Sequence, residues 1–88
     1  MPAKLSISEN TPTDSDTRTI LAWNVRRLRV KAGWSQEELA IRSGLDRTYV
    51  SSLERKVWNV SLSNIDKLAK ALGVEAWVLL SPEDKLRT

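Results

Sequence analysis

The segment GLDRTYVSSLERK, residues 44–56, carries many hydrogen-bonding side chains for so short a stretch. Arg47, Ser51 and Arg55 recur at intervals of four residues. Thr48 and Ser52 lie beside them, so the spacing predicts one exposed helix face with five polar side chains. Arginine can donate two hydrogen bonds to guanine O6 and N7, and serine or threonine can reach several base edges. This pattern is typical of a helix that fits the major groove of DNA.

A purely solvated helix face would have a different composition. Such a face favours glutamate and lysine, which are good helix formers, over serine, threonine and tyrosine. On the other side of the same segment, Val50 and Leu53 are apolar at i and i+3, and they are expected to fix the helix to a core. The polar face is therefore more readily explained by a binding role than by solvation alone.

The composition argues against catalysis. The 88 residues include no histidine and no cysteine, which removes the most common general acid–base side chain, thiolate nucleophiles and the usual zinc ligands. No carboxylate cluster has the pattern of an active site. We expect no enzymatic activity, no metal, no cofactor and no small-molecule ligand.

The net charge of +3 is unevenly distributed along the chain. Residues 1–16 carry a net charge of −2, and residues 17–88 carry +5. A basic folded part is compatible with a polyanionic partner. The sequence has no apolar signal-peptide region and no run near the roughly 18 apolar residues of a membrane span. We expect a cytoplasmic, nucleoid-associated protein.

The pattern divides the chain into three parts. Residues 1–16 are rich in Ser, Thr, Asp and Pro and predict a flexible lead, residues 17–82 show helical periodicity throughout, and residues 83–88 form a short tail. The first helix is predicted from Thr17 to Ala32, followed by a glycine, with a buried stripe of Leu21, Val25, Leu28 and Ala32.

Sequence signals mark the ends of the next two helices. Ser35 and Glu38 have capping-box spacing, and Trp34 and Leu39 have hydrophobic-staple spacing, at the start of a helix that ends at Gly44. The third helix is predicted to begin after Asp46 and to end at Arg55 or Lys56. A fourth begins near Leu62 and ends before Gly73, and a fifth spans about residues 75–80.

Two helices joined by a glycine turn, the second polar on its outer face, form the helix-turn-helix arrangement. In this arrangement the first helix crosses the DNA backbone and the N-terminal residues of the second meet the bases. Gln36 begins the first of these two helices, where free N–H groups and the helix dipole also favour a phosphate.

The stretch QEELAIRSGLDRTYVSSLER resembles the phage-repressor/Cro-like helix-turn-helix family, also called the xenobiotic-response-element type. Ala40, Gly44, Val50 and Leu53 occupy the small, glycine and aliphatic positions of that 20-residue unit. The flanking NVRRLR and SLSNIDKLAKALGV match as well, so the resemblance covers residues 20–80. It implies an all-α, compact five-helix domain of the lambda-repressor type. The segment LDRTYVSSLER further resembles the corresponding segment of controller proteins of restriction–modification systems.

The resemblance also implies roles for individual residues. Arg47, Thr48 and Ser52 correspond to base readers, with Ser51 and Tyr49 as possible helpers. Phosphate contacts correspond to four polar positions: Gln36, Arg55, Lys56 and Asn59. Arg29 and Glu54 correspond to a structural ion pair between two helices. The loop Asn59–Val60–Ser61 lacks the proline that relatives often have, and the roles of Trp34 and Trp58 are open.

Helix 5 is more apolar than a small core requires, which is common at interfaces. The resemblance implies a two-fold homodimer through this region, and we expect Val74, Trp77, Val78 and Leu80 to form its interface. The alternative is that Trp77 and Leu80 cap the monomer core. The predicted function is a transcriptional regulator that binds double-stranded DNA at a pseudo-palindromic operator. An antitoxin-type protein, or a protein-interaction module without DNA binding, remains an alternative.

Overall fold

The computed structural model describes residues 17–57 and 60–82. Within these ranges the protein consists of five helices: α1 (Thr17–Lys31), α2 (Gln36–Ser43), α3 (Arg47–Glu54), α4 (Leu62–Leu72) and α5 (Ala76–Leu79). The predicted all-α, five-helix class is confirmed. The predicted lead and tail, as well as Trp58 and Asn59, lie outside the described residues.

Helix α1 buries one face against the other helices. Leu21 and Val25 are buried as predicted, and Leu28 packs half-buried against the core. The prediction was wrong for Ala32, which is exposed because α1 ends at Lys31 and the chain turns away. Gly33 has a φ of 81°, and the Trp34 amide donates to the Arg29 carbonyl at 3.0 Å.

The start of α2 shows half of the predicted capping box. The Ser35 hydroxyl oxygen accepts a hydrogen bond from the Glu38 amide at 3.0 Å. The Glu38 carboxylate does not complete the box, because it accepts a hydrogen bond from Arg42 Nε at 2.6 Å on the outer face of the helix. Trp34 packs against the core just before this cap, as the staple spacing predicted.

The turn between α2 and α3 depends on a left-handed residue. Gly44 has a φ of 75°, and its N–H points to the carbonyls of Ala40 and Ile41. No atom lies within 4 Å of the place where a Cβ would be, so the requirement for glycine comes from the backbone angle alone. The Leu45 amide then donates to the Ala40 carbonyl at 2.9 Å and sets the direction in which α3 begins.

The core lies where all five helices meet. Each helix contributes one of its largest fully buried apolar side chains: Val25, Leu39, Val50, Leu68 and Leu79. Helices α2 and α3 have eight residues each, a length at which an isolated helix is marginal in water. Their position and stability therefore depend on this shared apolar contact.

One buried polar side chain ties the first helix to the last. Asn24 is 0% exposed, and its Nδ2 lies 3.0 Å from the Leu79 carbonyl oxygen and 2.8 Å from that of Ser81. A third carbonyl, that of Val78, lies at 3.3 Å. The Val78 carbonyl also accepts from the Ser81 amide at 3.3 Å, whereas those of Leu79 and Ser81 lie at the end of α5, where no further turn of helix supplies a donor. This role of Asn24 was not predicted, although an asparagine three residues after Leu21 interrupts an apolar stripe.

We predict that Asn24→Leu lowers the free energy of unfolding by roughly 2–3 kcal/mol, because it leaves buried carbonyls without a donor. Urea denaturation monitored by circular dichroism measures the change. The control is Asn64→Leu on α4, whose side chain makes none of these interhelical hydrogen bonds. Equal losses in the two variants would show that the Asn24 amide does not hold α5 in place.

Candidate DNA interface

Helix α3 presents the predicted polar face and buries the opposite one. Val50 and Leu53 are buried in the core. Arg47 and Thr48 are exposed, and Ser51, one turn after Arg47, is half-exposed on the same side. Arg55 follows directly after the last helical residue and is also exposed. The structure therefore brings these four polar side chains together on one accessible surface, which we call the recognition face.

Ser52 does not belong to the recognition face. It is only 3% exposed, so the structure does not bring it to the accessible surface where the other predicted base readers lie. The reason is helical geometry: Ser52 follows Tyr49 by three residues and precedes Leu53, and both of these pack against the core. Tyr49 itself is half-buried there, so its ring contributes to packing of α3.

A buried ion pair fixes the end of α3 against α1. Arg29 Nε lies 2.8 Å from Glu54 Oε2, and Arg29 Nη2 lies 3.0 Å from Oε1. The two side chains are 12% and 5% exposed, so the predicted Arg29–Glu54 pair is present and largely shielded from water. Arg29 Nη1 also donates to the Trp34 carbonyl at 2.8 Å, which anchors the turn before α2.

Gln36 joins the same network. Its Nε2 donates a hydrogen bond to Glu54 Oε1 at 3.1 Å, so the first residue of α2 is tied to the last residue of α3. The Glu54 carboxylate thus accepts three hydrogen bonds from two elements. This contact was not anticipated, since Gln36 was considered only as a phosphate ligand. It holds the two helices of the helix-turn-helix unit at a fixed angle.

Lys56 terminates α3 in an unusual conformation. It has a φ of 63° and is the one non-glycine residue with positive φ in the described ranges. Its amide donates to the Leu53 carbonyl at 2.9 Å, and the Val57 amide donates to the Ser52 carbonyl at 2.9 Å. These are the two hydrogen bonds of a Schellman motif, in which glycine usually holds this position. The side chain of Lys56 is exposed beside the recognition face. Asn59, the remaining predicted phosphate contact, lies outside the described residues.

The four residues predicted for the dimer interface separate into two groups. Val74 and Leu80 are partly buried against the protein's own core. Trp77 is 62% exposed on α5, and Val78 is half-buried. Trp77 therefore does not cap the monomer core, whereas Leu80 does so in part. The exposed indole is the feature of α5 that is typical of a protein–protein interface.

Comparison with known proteins agrees with this geometry. A helix-turn-helix family model matches residues 25–76, which is more than half of the chain. The chain belongs to the helix-turn-helix family. Its structure shows the two helices of the unit as α2 and α3, and the expectation of a DNA-binding transcriptional regulator is confirmed at the level of this family.

Similar members of this helix-turn-helix family include a hypothetical transcription factor of Neisseria meningitidis, 54% identical over 99% of this chain and 83% of that protein. The crystal structure of the Neisseria factor matches with a TM-score of 0.79 over 86% of this chain and 88% of that one, at 58% identity. Control protein C.SmaI of Serratia marcescens is 52% identical over 75% of this chain and 79% of that protein.

A further solved structure is that of the restriction–modification controller protein C.Esp1396I as a tetramer with its natural 35-base-pair operator. It matches with a TM-score of 0.70 and 30% identity, over 83% of this chain and 93% of that one. None of the helices among the described residues is long and apolar enough to cross a membrane.

We predict that Glu54→Gln destabilises this helix-turn-helix protein by about 3 kcal/mol, at the lower end of the range for breaking a buried ion pair, since the amide keeps some hydrogen bonding. Chemical denaturation measures the loss. Glu38→Gln is the matched control: its carboxylate also pairs with an arginine Nε, but that pair is exposed and is expected to contribute less than about 1 kcal/mol. Similar losses for the two substitutions would contradict the anchoring role of Glu54.

Proposed function

We propose that this helix-turn-helix protein binds a pseudo-palindromic operator as a homodimer and regulates transcription there. Each α3 lies in a major groove, and the two half-sites are about one helical turn, roughly 34 Å, apart. The observation that carries the proposal is the recognition face: its polar side chains are accessible while Val50 and Leu53 hold the opposite side of the same short helix in the core.

The residues of the interface have distinct roles in this proposal. Arg47 and Thr48, at the N-terminal end of α3, read base edges, and Ser51 supports them one turn later. Arg55, Lys56 and Asn59 hold backbone phosphates and position the protein without reading sequence. Gln36 contributes mainly by holding α2 to Glu54, and its position at the N-terminus of α2 also favours a phosphate.

The homodimer in this proposal forms through α5. Trp77 exposes most of its indole, and a large aromatic side chain of this kind is a frequent anchor at the centre of an interface. Val78 adjoins it on the same short helix, whereas Val74 and Leu80 support the surface from the core side. A second copy placed by a two-fold axis would bring the same patch onto Trp77.

We further propose that the regulated genes belong to a restriction–modification system, and that the protein acts in the cytoplasm at the nucleoid. The similarity to control protein C.SmaI and to the operator-bound controller C.Esp1396I supports this assignment. Regulation would occur by blocking or recruiting RNA polymerase at the operator.

Selection of binding sites from random duplex DNA tests the proposal directly. Enrichment of two half-sites related by a two-fold axis is expected, and it supplies the operator sequence. Binding with no enriched sequence, or no binding, would contradict operator recognition and would favour a protein-interaction or antitoxin-type role, to be followed by a search for a copurifying second chain.

We predict that Arg47→Ala weakens operator binding by roughly 1–3 kcal/mol and relaxes the preference at one base pair, because it removes a bidentate base contact. Lys56→Gly is the comparison: it keeps the positive-φ turn without strain but removes the charge, so it should weaken all duplexes alike and lower the salt dependence. Competition binding against single-base operator variants measures both effects. A uniform loss from Arg47→Ala would exclude it as a reader.

We predict that Trp77→Ser raises the dimer dissociation constant about 30-fold, which corresponds to the roughly 2 kcal/mol of a tryptophan anchor. Sedimentation velocity across a concentration series measures the change. Ile41→Ser on α2 is the control, since Ile41 is likewise exposed, at 69%, but lies on a helix other than α5 and other than α1, to which Asn24 ties α5. An unchanged dissociation constant for Trp77→Ser would place the interface elsewhere.

A further inference from the structure

A groove of about 740 Å³ runs between the outer side of α1 and the end of α3. Trp23 and Val30 supply its apolar surface and are both more than half exposed. Four cationic residues also line it: Arg26, Arg27 and Lys31 from α1, and Lys56 from the turn after α3. No role was predicted from the sequence for Arg26, Arg27 or Lys31.

The cations of this groove differ from the paired arginines of the protein. Arg29 and Arg42 each form an ion pair with a glutamate. Within residues 17–57 and 60–82, none of the four groove cations has a carboxylate within ion-pair distance. Glu54 also lines the groove, but its carboxylate is already bound by Arg29 and Gln36. Four like charges without counter-charges repel one another unless an anion lies between them.

Arg27 gives a second, independent indication of an anion. Its Nε is buried and has no hydrogen-bond acceptor in the described part of the chain, while Nη2 makes only a 3.3 Å contact to Asn24 Oδ1. A buried guanidinium donor without an acceptor is costly and is generally satisfied by a ligand or by water. The donor lies in the element that lines the groove, among the other three cations.

Lys56 connects the groove to the recognition face. It follows Arg55 directly, and its backbone adopts positive φ, a conformation that costs a lysine roughly 1–2 kcal/mol. Glycine would hold the same turn without that cost, so the strained lysine indicates that its side chain is useful there. The groove is therefore continuous with the surface proposed to face DNA.

We infer that this groove is a second DNA-contact surface, which binds the phosphodiester backbone beside the duplex segment that α3 reads. The inference rests on the proposed DNA binding and extends it from α3 to α1. Arg26, Arg27, Lys31 and Lys56 neutralise phosphates, while Trp23 and Val30 face the less polar sugar edge. These contacts are independent of base sequence, so they add affinity and extend the footprint without altering the operator that Arg47 reads.

The test compares two charge-matched double variants of the full chain. Arg26→Gln/Lys31→Gln removes two exposed cations of the groove, and Lys67→Gln/Lys70→Gln removes two exposed cations of α4. Binding to a random-sequence 40-base-pair duplex is measured over a salt series, with circular dichroism as a check of folding. The groove variant is expected to lower the slope of log K against log salt by about 0.9 for each lost phosphate contact. The α4 variant is expected to leave the slope unchanged.

Two results would overturn the inference. Equal slopes for the two variants would mean that the groove acts only through overall charge. An unchanged slope for the groove variant, with shifted amide NMR resonances in residues 1–16, would mean that the acidic N-terminal segment occupies the groove.

Because the test uses random-sequence DNA, it is separate from operator selection. An enriched operator together with an unchanged salt slope would contradict only the inference that the groove binds DNA. A lowered salt slope for the groove variant without an enriched operator would support DNA binding by the groove and contradict sequence-specific recognition by α3.

Discussion

The carboxylate of Glu54 is the point on which the arrangement of the helix-turn-helix unit depends. It accepts two hydrogen bonds from Arg29 of α1 and one from Gln36 at the start of α2. Since α3 has only eight residues, it is not stable by itself and needs contacts that orient it. Its buried side chains Val50 and Leu53 fix how deeply the helix packs into the core more than how it is rotated about its own axis. Three directed hydrogen bonds on the last helical residue supply the missing constraint. A base reader placed by such a network is pre-organised before any DNA is bound.

The second constraint is the Asn24 amide, which does for α5 what Glu54 does for α3. Each contact ties a short helix to the 15-residue α1: Glu54 of α3 accepts from Arg29 of α1, and Asn24 of α1 donates to the end of α5. Helix α1 is thus the frame of the domain: one of its faces contributes Leu21 and Val25 to the core, while Asn24 and Arg29 orient the reading helix and the helix that bears Trp77. Directed polar contacts are suited to this task, because hydrophobic burial is non-directional.

Helix content and order could be predicted from the sequence because apolar periodicity, cap residues and glycines all act locally. Gly44 ends α2 where a backbone angle demands it, and Ser35 begins α2 where an amide needs an acceptor. Side-chain partnership was less predictable. Glu38 had the spacing of a capping box, but Arg42 one turn later competed for its carboxylate. The burial of Ser52 was not predicted, because spacing alone does not say how wide the buried side of a short helix is.

The distribution of paired and unpaired charge separates stability from binding in this protein. Arg29, which orients α3, has a carboxylate partner in Glu54, whereas among the described residues the cations on the recognition face and in the groove have no carboxylate within ion-pair distance. Side chains such as Arg47 and Thr48 are exposed and are not among the residues that form the core. Substitution there changes what the surface can bind but removes little that holds the fold. The same scaffold can therefore carry different reading residues, so long as the Glu54 and Asn24 contacts keep α1, α3 and α5 in place.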